Sequence, residues 1–196
     1  MLRHALGAVI VATGVLAACQ AIASGNSKGS IVANGFGEAT ALTADRHAAP
    51  DLEKLLPTSL GGVALTIESQ AGTELSTTSA AFDTFLNSLG KTRADFLLAS
   101  AYSPGGLKAE VGAWHVQGAD PAGLLPGFRK AVQASSTTPL ISAEETMAGR
   151  AVTRIGDPGQ LTQGPIYVFV GDDTLLFVQT PDRALAEEAI GKLKRD

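Results

Sequence analysis

Chemistry in this chain would have to come from a few residues. They are a single cysteine at position 19, the stretch Gly25-Asn26-Ser27-Lys28-Gly29, the stretch Leu89-Gly90-Lys91-Thr92, two widely separated histidines after the N-terminal segment, and three adjacent acid pairs. Gly25 to Gly29 has the Gly-x-Ser-x-Gly spacing of a nucleophile elbow, where a strained strand-to-helix turn exposes the serine. Here the spacing falls in a Gly/Ser-rich run with neither strand nor helix around it, so coincidence accounts for it. Leu89 to Thr92 matches the end of a phosphate-binding loop. That loop needs a glycine where Phe85 stands, and it precedes a helix rather than following one. Gly90 reads better as a helix C-cap. His47 and His115 belong to no His/Cys cluster, so no metal site or cofactor is expected. Glu144-Glu145, Asp172-Asp173 and Glu187-Glu188 are chain neighbours, which point different ways on a strand or helix and make no two-carboxylate site by themselves.

The cysteine has a different context. Met1 to His4 is a short basic start, Ala5 to Val15 an apolar run, and Leu16-Ala17-Ala18 a small-residue end. This is the layout of a secretory signal peptide, and the run is shorter than the roughly 20 residues of a spanning helix. Leu16-Ala17-Ala18-Cys19 resembles the lipobox of bacterial lipoproteins. The resemblance covers only the first twenty or so residues. It implies cleavage between Ala18 and Cys19, acylation of the Cys19 sulfur, and an extracytoplasmic protein held to the bacterial membrane by acyl chains. Gln20 follows the cysteine, as in outer-membrane sorting, which leaves inner or outer membrane undecided.

Bulk properties narrow the remainder. The formal net charge is −4. Loss of the signal segment would remove one arginine and no acid. A mildly acidic chain lacks the basic face that nucleic acid requires. A lipidated Cys19 leaves no thiol for a disulfide, so stability must come from a hydrophobic core.

Residues 20–50 are rich in Ala, Gly and Ser, have no sustained period, and read as a flexible tether, with Cys19 as its lipidated end. Such a tether holds a domain about 30 Å from its anchor. Residues 51–196 read as one α+β domain. Gly61 to Ser69 alternates like a strand, and Phe82, Phe85, Leu86 and Leu89 recur at helical spacing. Three hairpins are expected: one around Ser103-Pro104-Gly105-Gly106, a more polar one within 142–155, and one with Asp172-Asp173 at its tip. Asp120-Pro121 starts a helix that Pro126 is expected to kink or split. Thr180-Pro181 precedes the last helix, which buries Leu185, Ala189, Ile190 and Leu193 and sets Glu188 against Lys192 outside. Hairpins imply an antiparallel sheet with helices packed on it, a two-layer sandwich in the simplest case.

Placing Pro104-Gly105 at the first hairpin's tip pairs Tyr102 with Leu107, Leu98 with Val111 and Phe96 with Ala113. The other face then carries Ala99, Ala101, Gly112 and Trp114, small residues beside the only tryptophan. That surface is the expected binding site, with Trp114 as its anchor. The third hairpin is apolar on both faces and should be central. These features point to a non-catalytic binding or interaction module that meets an envelope protein. The alternative is a carrier of a lipid or other apolar ligand, and a hydrolase ranks behind both.

Overall fold

The computed structural model describes residues 47–75, 80–103, 105–134, 136, 138–156 and 164–194. The signal segment, Ala18, Cys19, the Gly25 to Gly29 stretch and the tether up to residue 46 lie outside these. The described chain is α+β, an antiparallel sheet with helices packed on it. In chain order the elements are α1 (Pro50–Glu53), β1 (Ser59–Leu60), β2 (Val63–Ala64), β3 (Thr66–Ala71), α2 (Ala80–Ser88), β4 (Phe96–Tyr102), β5 (Glu110–Val116), α3 (Pro121–Ala134), β6 (Ile141–Met147), β7 (Arg150–Gly156), β8 (Ile166–Gly171), β9 (Thr174–Gln179) and α4 (Arg183–Lys192). The main sheet has seven strands in the order β3-β4-β5-β9-β8-β7-β6, every pair antiparallel, and β1-β2 is a separate short hairpin.

Helices cover both faces of the sheet, which adds a third layer to the two expected. One core holds Phe82, Phe85 and Leu86 of α2 and Leu124 and Phe128 of α3 against Phe96, Leu98, Trp114, Leu175 and Phe177. The other holds Leu52 of α1 and Ala186, Ala189 and Ile190 of α4 against Ala99, Ala101, Val111, Ala113, Leu176 and Val178. The third hairpin is central, as its two apolar faces require, and all six residues of β9 are buried. The two units of hairpin plus helix, β4-β5-α3 and β8-β9-α4, send their helices to opposite faces.

Local sequence explains most element ends. Helix α2 stops in a Schellman motif. Lys91 N–H donates to Leu86 O at 2.9 Å and Gly90 N–H to Asn87 O at 3.0 Å, with Gly90 at φ 68° where a side chain would be strained. Leu89 to Thr92 is therefore a helix cap and not a phosphate loop. Asp182 caps α4, accepting from Ala184 N–H at 2.8 Å, and Glu188 meets Lys192 at 2.7 Å. Lys192 holds the Glu188 carboxyl below its usual range, helped by the Gly61 N–H. Helix α3 runs through Pro126 as one element. Pro126 and Ala122, whose carbonyl the missing N–H would have bonded, are both exposed, so water can serve that oxygen. The expected strand from Gly61 is broken, because Gly61 and Gly62 adopt φ 57° and 74° and fold β1 onto β2 before β3 begins.

The ordered fold also begins before Asp51. His47 forms a parallel bridge with Ser69 on the β3 edge. Ala49 N–H donates to Ser69 Oγ at 2.7 Å, Ser69 Oγ donates to Glu53 Oε1 at 2.6 Å, and His47 Nδ1 lies 3.0 Å from that oxygen. Ala49 is buried in the α1 core. A chain starting at Asp51 loses the bonds made by His47 and Ala49 and one small core residue. It is expected to be about 1–2 kcal/mol less stable than a chain starting at His47, which is roughly 2–8 °C in melting temperature. Equal melting temperatures for the two would show that residues 47–50 add nothing to the domain.

Candidate functional site

The register of β4 against β5 decides where the expected site residues lie. Tyr102 pairs with Glu110, Ser100 with Gly112, Leu98 with Trp114 and Phe96 with Val116. The loop is three residues longer than a turn at Pro104-Gly105 demands. Residues 107–109 bond away from β4: Ala109 N–H donates to Leu107 O at 2.9 Å, and Thr180 Oγ1 donates to Lys108 O at 2.8 Å. An odd shift turns every β5 side chain to the opposite face.

The expected surface of Ala99, Ala101, Gly112 and Trp114 therefore does not exist. Ala99 and Ala101 are fully buried under α1, on the opposite side of the sheet from Gly112 and Trp114. Trp114 is only 4% exposed. Phe82, Phe85, Phe96, Phe128 and Phe177 surround its ring with centroids 5.3–5.9 Å away for the four that the indole shares with helices α2 and α3 or β9, and 5.6 Å for Phe96. Most of these meet it edge to face, the favoured arrangement for aromatic quadrupoles. Gly112 leaves no hollow for a ligand, since the Phe177 ring lies over it and an added Cβ would sit 2.3 Å from Phe177 Cζ.

Two other arrangements come from residues far apart in the chain. The first joins His115 at the end of β5 to the β8-β9 turn. His115 Nδ1 is 3.0 Å from Asp173 Oδ1 and 3.2 Å from Thr174 Oγ1, and Gly118 N–H reaches Asp173 Oδ2 at 3.4 Å. A carboxylate bound to Nδ1 fixes the ring orientation, as in base–orienter pairs. The hydroxyl in reach meets the same nitrogen as the carboxylate, and Thr174 is 3% exposed. Nucleophilic catalysis would need an accessible hydroxyl or thiol at the other nitrogen. The geometry ties the turn to β5 and activates no described nucleophile. The acid pairs likewise divide their members: Glu144 takes a 2.6 Å bond from Thr153, whereas Glu145 meets Arg183 at 2.7 Å. Among the described residues no group of three or more His, Cys, Asp or Glu side chains is placed to hold a metal ion.

The second arrangement is a groove of about 250 Å³ on the outer side of the α2/α3 pair. Ala80, Thr84 and Ser88 form one wall and Gly127, Ala131 and Ala134 the other, with Phe85 beneath them. Gly127 allows the close approach, since a Cβ there would lie 3.1 Å from the Phe85 ring. Lys130 is the charged residue of the lining. Sequence reasoning missed this place. Its only signal was the spacing of small residues at 80, 84 and 88, which by itself marks nothing.

Comparison with protein-family models, with curated proteins and with solved structures returned no match.

The Gly112–Phe177 contact gives a direct check of the face assignment. Gly112→Ala is expected to cost about 1–3 kcal/mol by overpacking, and Phe177→Leu in the same chain should recover part of it. A Gly112→Ala protein that melts with the wild type would contradict the placement.

Proposed function

We propose that this protein is an extracytoplasmic bacterial lipoprotein, held to the membrane by acyl chains on Cys19, whose domain is a non-catalytic binding module. The observation that carries the anchor is Leu16-Ala17-Ala18-Cys19 behind a basic start and an apolar run. No helix among the described residues is long and apolar enough to cross a membrane. Two or more acyl chains make an anchor stable where one is marginal.

Two features support binding at the surface over enclosed carriage or catalysis. A carrier needs space between sheet and helices, and side chains occupy both interlayers. Phenylalanines surround Trp114 on one face, and Ala99, Ala101 and Ala113 draw helix α1 close on the other. A hydrolase needs a nucleophile aligned with a base, and the His115–Asp173 pair is aligned with none of the described hydroxyls except buried Thr174 at the wrong nitrogen. What remains for function is the outer surface.

Metabolic labelling of cells with an alkyne fatty acid tests the anchor. Wild type is expected to take up label and Cys19→Ala to take up none, no longer being held by acyl chains. Equal labelling of the two would overturn the proposal.

A further inference from the structure

We propose that the groove between α2 and α3 binds a free single-chain anionic amphiphile, with its tail along the groove and its acidic head at Lys130. This rests on the binding-module reading and names the ligand class. The walls are apolar in effect despite their hydroxyls. Thr84 Oγ1 donates to Ala80 O at 2.7 Å and Ser88 Oγ to Phe85 O at 2.7 Å, so both protons are spent within α2. The groove is left with methyl and methylene surface and oxygen lone pairs, which suit a hydrocarbon chain and repel a second anion from the walls.

The charge at the rim sets the sign of the head. Lys130 lines the groove and no acidic residue does. The one acid of α2, Asp83, is turned away and held by Arg93 through bonds of 2.8 Å to each carboxylate oxygen. That guanidinium keeps the Asp83 carboxyl below its usual range, so it stays charged and engaged. The single cation at the rim, Lys130, and the apolar walls are complementary to a carboxylate or phosphate on one alkyl chain. The volume of about 250 Å³ falls just under the usual range of roughly 300–1,000 Å³ for ligand pockets.

Trp114 reports on the groove without lining it, because its ring is 5.9 Å from that of Phe85, the groove floor. The test uses residues 20–196, which keep every residue of both cores and carry no acyl chain of their own. Titration with omega-bromoundecanoate is expected to quench Trp114 emission saturably, and its methyl ester to bind about twofold to fivefold more weakly. Lys130→Gln should reduce the affinity for the acid to that of the ester, in line with loss of one exposed charge pair. Ala134→Phe, at an exposed position, should abolish saturable quenching by filling the groove. Absence of saturable quenching, equal binding of acid and ester, or quenching that appears only with brominated phosphatidylglycerol vesicles would overturn the proposal, the last by pointing to a membrane surface instead. Because this chain lacks Cys19, failure here leaves the labelling test of the anchor untouched.

Discussion

Leu98 on β4 and Trp114 on β5 stand directly opposite each other, and that one pairing assigns every neighbouring side chain to a face. It sends Phe96, Leu98, Trp114 and Val116 toward α2 and α3, and Ala99, Ala101, Val111 and Ala113 toward α1 and α4. The two interlayers are correspondingly unequal. Five of the seven phenylalanines gather round one indole on the first face. Alanines dominate the middle of the second, where short side chains let α1 lie close to the strands. Gly112 belongs to the same logic, since its missing side chain is the space the Phe177 ring fills. The arrangement has a cost. The Trp114 indole N–H and the Ser100 hydroxyl are buried without a hydrogen-bond partner, each worth about 1–3 kcal/mol of desolvation. Aromatic packing around Trp114 offsets it, at about 0.5–1.5 kcal/mol per pair beyond area burial.

The unequal cores shape what the surface can offer. Both sheet faces are covered over the central strands, whereas β6 at one end is largely exposed, and the groove on α2/α3 is one outward feature of the described residues. One edge is partly closed by residues 47–49, which bond to Ser69 of β3. This ties the start of the domain to its own sheet. At the far end of β5, His115 and Asp173 tie a hairpin turn to the strand beside it. Both polar clusters act on the fold, whereas the lysine-rimmed groove faces outward.

Much of the fold was legible in the sequence because it is written in short-range signals. Phe82, Phe85 and Leu86 gave α2, Gly90 gave its end, Glu188 and Lys192 gave the outer face of α4, and the two-sided apolar pattern of residues 166–178 gave a central hairpin. The binding surface was misplaced because hairpin register depends on loop length, and loop length here depends on bonds invisible in sequence. Thr180, some seventy residues away, takes the Lys108 carbonyl and helps withdraw 107–109 from pairing. A shift of three residues then exchanges the faces. Pro126 failed to end its helix for a related reason: whether a proline interrupts depends on whether water reaches the freed carbonyl, and Ala122 is exposed. The third layer follows from α4 packing with the short α1 on the face opposite α2 and α3, a choice of face that helical periodicity alone does not specify.

Trp114 is enclosed by rings rather than displayed to a partner. As the only tryptophan, it can be read alone by intrinsic fluorescence. The most direct measurement is iodide quenching of its emission in the native protein and again in denaturant. A buried indole predicts blue-shifted native emission that iodide barely affects, with full sensitivity appearing only on unfolding. Native emission at the wavelength of the denatured chain, quenched by iodide to the same degree, would contradict the register, the aromatic core and the assignment of faces built on them.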